Sequence, residues 1–253
     1  MKGPPTIIAM LSVAGSAIAL PFTTTGVDVV STAIAAAAGP ANPRPSPPRA
    51  LPQNASERAL QFQPLLDYDL DSCYNVPAID AQGNLAQGLK STYQSNTRYE
   101  HYFEKDVGIE YVAGIASGHR HEWENAVVVV RQNEDLPRLV SASAHDGYDT
   151  REPLRVRFQD GHAKIVYHKN GAGTHALRFA NARDEDIEND RGVWMQGALV
   201  DWNGFPSIKL RNRMVQAFNG TGTQPKIADA HFGAYLAKAI RHRIPEFDPF
   251  LEG

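Results

Sequence analysis

Four consecutive valines at 127–130, preceded by Glu124-Asn125-Ala126, set the tightest limit on what this chain can fold into. β-branched side chains lose rotamer freedom in a helix, and a run that is apolar on both faces must be a strand buried on both sides. The neighbouring stretches carry the same signal. Leu139-Val140-Ser141-Ala142-Ser143-Ala144 predicts a second strand, and Leu154-Arg155-Val156-Arg157-Phe158 alternates apolar with charged, which predicts a half-buried one. Asp160-Gly161 then supplies a turn, after which Ala163-Lys164-Ile165-Val166-Tyr167-His168 returns as a hairpin partner. Further strands are expected at 174–179 and 197–201. Helices are expected at 208–218, capped by Ser207, and at 227–241, where Ala230, Phe232, Leu236 and Ile240 recur at helical intervals. Short strands separated by turn residues favour an antiparallel β-sandwich with flanking α-helices over a parallel sheet.

The first fifty residues read differently. Lys2 followed by an apolar run at 7–20 and the small-x-small triplet Ala17-Ile18-Ala19 predicts a signal peptide at 1–19, and so a secreted, extracellular protein. The run is too short to span a bilayer comfortably. Residues 20–53, with their alanine run and Pro40, Pro43, Pro45, Pro47 and Pro48, read as a pro-segment or extended linker. The folded domain is expected at 54–253. Cys73 is the single cysteine, best placed as a small buried thiol. Asn54 and Asn219 head glycosylation sequons. A net charge of −3 with no basic stripe argues against a nucleic-acid partner, and a monomer is expected.

Chemistry concentrates at Gly118-His119-Arg120-His121-Glu122-Trp123-Glu124. If the strand begins at Glu122, then Glu122 and Glu124 share one face, and His121, Trp123 and Asn125 share the other. Two carboxylates side by side repel unless a cation or a shared proton lies between them. With Asp106 folded back across the intervening loop, and His119, the set becomes three carboxylates and an imidazole. That set suits Mg²⁺ or Ca²⁺, or Mn²⁺, better than structural zinc. His121 faces away from the glutamates and is expected behind the ligands, as is Arg120, which could instead clamp an acidic group or form a surface ion pair. Two other readings stay open on the residues alone. One is a metallohydrolase with Glu122 as base, and the other is a solvated polar strand end with Trp123 packing.

The heptapeptide at 118–124 resembles the signature of the necrosis- and ethylene-inducing peptide-like proteins, the necrosis-inducing protein family. Tyr102-Phe103-Glu104-Lys105-Asp106, Tyr74-Asn75-Val76-Pro77-Ala78-Ile79-Asp80 with Gly83 and Gly88-Leu89-Lys90, and Ser141-Ala142-Ser143-Ala144-His145-Asp146-Gly147-Tyr148 are similar to family segments. So are Thr174-His175-Ala176-Leu177 and Leu199-Val200-Asp201-Trp202, all in the family's order. The resemblance implies a β-sandwich similar to actinoporins and fungal fruit-body lectins. It implies a non-enzymatic cytolysin, a virulence effector that binds glycosylated inositol phosphorylceramide in plant plasma membranes, permeabilises them and causes necrosis. It matches Asp106, His119, Glu122 and Glu124 to the metal-coordinating set, and it brings the aromatics of the Trp202-Asn203-Gly204-Phe205-Pro206 loop, Trp202 and Phe205, towards membrane or sugar. Glu122 stands where the commoner signature has aspartate. Cys73 has no second cysteine for the disulfide of the common cytolytic subgroup, and His101 replaces a tryptophan, which marks a divergent member. A non-lytic glycan- or lipid-binding protein of the same fold is the alternative.

Overall fold

The computed structural model describes the backbone of residues 7–12, and residues 47–70, 72, 74–87, 121, 123–131, 134–170, 175–189, 191–219 and 224–250 in full. Two sheets face each other. In the first, β1 (Ile7–Ser12), β3 (Asn125–Val129), β4 (Leu139–Ala144) and β5 (Gly147–Arg151) lie in that order, antiparallel throughout. In the second, β2 (Leu65–Tyr68) pairs with β7 (His162–Lys169), which also pairs with β6 (Phe158–Gln159) and β8 (His175–Phe179). The β2–β7 pairing is the parallel one among these, with Leu65 opposite Lys164.

The valine run serves two cores at once. Ala126, Val128 and Val130 point between the sheets, where they meet Leu66, Tyr68, Val140, Ile165, Leu177 and Phe179. Val127 and Val129 point the other way, onto Leu236, Ala239 and Ile240 of helix α3 (Asp229–Ile240), with Leu139 and Tyr148 beside them. The period-two alternation of a strand therefore demands apolar residues at every position once a helix covers the outer face of the sheet. A third cluster lies at one end, where Leu210, Met214 and Phe218 of α2 (Ile208–Phe218) pack on Trp123, Ile79 and Leu51. The Ser207 hydroxyl accepts from the Leu210 amide at 3.1 Å and caps α2 as expected.

Two local expectations are corrected, and three elements appear that were not expected. Leu154 to Phe158 is not a strand, because Pro153 opens a 3₁₀ turn (Pro153–Arg155), Leu154 is left 99% exposed and pairing begins only at Phe158. The expected strand at 197–201 reduces to a single bridge, Asn54 with Val200. β2 and β5 were not expected, and neither was the short helix α1 (Glu57–Gln61). The Asp160-Gly161 turn stands as expected, with φ of 52° and 88° at its two residues, the paired left-handed geometry of a tight hairpin.

At the N-terminal end, β1 falls inside the stretch expected as a signal peptide. It runs antiparallel along β3, with Met10 opposite Val127 and Ser12 opposite Asn125. A chain cut after Ala19 would leave that side of β3 without this partner. Packing begins ahead of the expected boundary at Asn54, since Leu51 is already buried. Cys73 lies outside the described residues.

Candidate functional site

The last residues of the heptapeptide lead directly into β3, which starts at Asn125 rather than at Glu122. His121 and Trp123 both lie edge-on against the Phe218 ring, at 5.0 and 5.2 Å between centroids. α2 thus holds that side of the segment by aromatic packing. Of the four residues expected to hold a metal, Glu124 is described; Asp106, His119 and Glu122 lie outside the described residues, as does Arg120. Among the described residues, no group of three or more His, Cys, Asp or Glu side chains could hold a metal ion.

Glu124 is buried, 4% exposed. Its carboxylate accepts a hydrogen bond from the Ser143 hydroxyl, and the Asn125 amide donates to the same hydroxyl at 2.7 Å. Ser143 comes from β4, so the β3–β4 pairing clamps the carboxylate in place. One residue on, the Asn125 side-chain oxygen accepts from the Tyr148 hydroxyl at 3.0 Å, while its fully buried Nδ2 has no partner among the described residues. Burial first, and the nearby Glu124 charge as well, push the Tyr148 hydroxyl well above its ordinary pKa, so it stays a neutral donor. Among the described residues, the charge that faces Glu124 is Lys226, itself buried, with its ammonium 3.9 Å from Oε2. No local pattern marks Lys226 in the sequence; it arrives on the α2–α3 connection.

The Glu124 carboxylate offers the oxygen donors that a hard divalent ion prefers, while Lys226 is a positive charge with which such an ion would have to compete. Glu124 thus supplies one carboxylate of the expected donor set, the other three members lying outside the described residues.

The Trp202 loop is less exposed than the membrane-facing reading expects. Trp202 and Phe205 are half-buried against the third cluster and meet edge-on at 6.3 Å. Arg211 covers the indole at 4.3 Å and donates to the Trp202 carbonyl at 3.0 Å. Trp202 also lines a cavity of about 160 Å³ with Asn212, Asn219, Gln224, Asp229 and His231, an indole rimmed by amide, carboxylate and imidazole groups. The loop is pinned to the N-terminal side of the domain. The Asn54 amide donates to the Leu199 carbonyl at 2.9 Å, the Asp201 amide donates to the Asn54 carbonyl at 3.0 Å, and Asn54 Nδ2 donates to the Gly204 carbonyl at 2.7 Å. The sequon nitrogen at Asn54 is thus already engaged, whereas Asn219 is exposed at the end of α2.

The family model described as "Necrosis inducing protein (NPP1)" matches residues 56–98 and 94–239. The chain is 30% identical to NLP effector protein 2 of Phytophthora capsici over 222 residues, covering 76% of this chain and 82% of that one. It is 33% identical to the necrosis-inducing protein NPP1 of Phytophthora nicotianae over 136 residues, covering 43% of this chain and 55% of that one. Among solved structures, necrosis and ethylene inducing protein 2 from the agent of cocoa's witches' broom disease superposes with a TM-score of 0.55 at 25% identity, over 75% of this chain and 93% of that one. NLPPya in complex with glucosamine gives 0.54 at 26%, over 75% and 94%. A structure titled as the non-toxic HaNLP3 protein gives 0.53 at 21%, over 71% and 88%, a likeness of fold alone.

Proposed function

We propose that this chain, which belongs to the necrosis-inducing protein family, is a secreted effector that binds a glycosphingolipid headgroup in the plant plasma membrane through a divalent cation and permeabilises the bilayer. Asp106, His119, Glu122 and Glu124 would hold the ion, Mg²⁺ or Ca²⁺ or Mn²⁺, and the ion's open positions would take hydroxyls of a glycosylated inositol phosphorylceramide. The observation that carries this reading is the buried Glu124 carboxylate, clamped by Ser143 at the mouth of β3 within the family's heptapeptide. The glucosamine complex of NLPPya supports sugar as the ligand class. No turnover is required, because the proposed output is membrane lysis. The protein's own part is to fix Glu124 through the β3–β4 pairing and to brace His121 and Trp123 against Phe218.

Dye release from vesicles made with plant glycosylated inositol phosphorylceramide tests this reading. Release is expected with Mg²⁺ or Ca²⁺ and not with chelator, and a Glu122→Ala, Glu124→Ala double variant is expected to be silent. Equal release by that variant removes the metal from the mechanism.

A second reading is a non-lytic glycan-binding protein of the same fold. The half-buried Trp202 and Phe205 favour it, since aromatics packed into a core have little surface to insert into lipid. The same fold also houses a protein described as non-toxic. Binding to the glycolipid vesicles without dye release, and without necrosis on leaf infiltration, selects this reading.

A further inference from the structure

Resting on the metal reading of Glu124, we propose that Lys226 is a built-in counter-cation for that carboxylate, and that a divalent ion binds by displacing it, so that the site is a cation-exchange site. Both partners are buried, 8% and 4% exposed, and they lie 3.9 Å apart. A lone buried ammonium or carboxylate carries a large desolvation cost, and among the described residues each of these charges is the other's counter-ion. Their separation is longer than a charge-assisted hydrogen bond, and the carboxylate's close contact is with the Ser143 hydroxyl instead. Lys226 therefore neutralises Glu124 without locking it.

A divalent ion at Glu124 would place two further positive charges within a few ångströms of the ammonium, in surroundings that screen poorly. Either Lys226 leaves or the ion binds weakly. Departure is open to it, because Lys226 belongs to no helix or strand and sits on the connection between α2 and α3. Among the described residues it also meets the face of Tyr235, 5.6 Å from the ammonium, a contact of the kind a flexible lysine exchanges readily.

The test is isothermal titration of the full chain with Mg²⁺ and with Ca²⁺, for the wild type, Lys226→Met, Lys226→Arg and Glu124→Gln. Removing the competing charge is expected to tighten binding in Lys226→Met by about tenfold or more. Lys226→Arg is expected to stay near wild type, and Glu124→Gln to lose binding. Detectable binding in Lys226→Met alone also supports the exchange. Equal affinity of wild type and Lys226→Met overturns the exchange while leaving the metal site standing. No binding by either chain overturns both.

Because Lys226→Met strands Glu124 in the ion-free state and could fold poorly, the wild type is also probed directly. Brief acetic anhydride labelling, mapped by mass spectrometry, is expected to spare Lys226 in chelator and to modify it at saturating ion. Continued protection at saturating ion overturns the displacement.

Discussion

The contact between Gly204 and Asn54 sets up a test of how the Trp202 loop is held. A Cβ built on Gly204 would lie 2.2 Å from the Asn54 carbonyl oxygen, a backbone atom that cannot rotate away. Gly204 has no left-handed φ, so the whole effect of Gly204→Ala is this collision. Relieving it means drawing the two segments apart by about 1 Å, enough to break well-aligned hydrogen bonds. At stake are the bonds between Asn54 and Leu199, Asp201 and Gly204, together with that from the Ser56 amide to the Asp201 carboxylate at 2.9 Å. At a net of about 0.5–1.5 kcal/mol each, losing two or three of them costs about 1–4.5 kcal/mol. In a domain of this size, that lowers Tm by about 2–18 °C. Differential scanning calorimetry of wild type, Gly204→Ala and Gly147→Ala measures it. Gly147 is the control, since its added Cβ meets only the Ala144 carbonyl, at an ordinary 3.7 Å. A Gly204→Ala Tm within 1 °C of wild type would refute the idea that Asn54 pins this loop.

Acid should weaken the fold through three carboxylates held below their ordinary pKa. Asp80 is stabilised by the Asn84 side chain and loop amides, and Glu185 by Lys164 and then Arg157. Burial pushes Asp184 up, but the Arg178 fork and the Asn181 amide outweigh it. A depressed folded pKa contributes stability that is present above the unfolded value and lost as pH falls through the folded one, so Tm should be level above about pH 5 and drop below about pH 4. A Tm that rises on acidification contradicts these assignments. Ser207→Ala should cost about 1 kcal/mol by urea denaturation, since it removes the hydroxyl that caps α2. Leu236→Ala should cost about 2–5 kcal/mol in the same assay, because the side chain is fully buried between α3 and the valines of β3. A loss under 1 kcal/mol would mean that α3 does not seal that face.

Where residues act locally, the sequence was legible. β4 (Leu139–Ala144) and α2 (Ile208–Phe218) fall where the patterns place them, because alternation and a serine cap are local signals. β2 escaped because Leu65-Leu66-Asp67-Tyr68 is buried on both faces, and its buried Asp67 reads as a surface residue until its acceptor role for Asn189 is seen. Leu154 to Phe158 carried a strand's alternation, yet Pro153 and the lack of a partner overrode it. At the site, the shared side of His121 and Trp123 follows from their spacing, and Phe218 supplies what they pack on. Lys226 could not be read in advance, because its meaning depends on a carboxylate 102 positions away in the chain.

The parallel pairing of β2 with β7 has a consequence for how the chain reaches its native state. Leu65 to Tyr68 cannot find their partners until Lys164 to Tyr167 are available, with β3, β4, β5 and β6 lying between them in sequence. Closing so long a loop before any of its contacts form is entropically slow, so the second sheet should complete late, after the hairpins β4–β5 and β6–β7 have formed locally. Until then the apolar side chains of β2, Leu66 and Tyr68, lack their core, and aggregation competes with folding at that step.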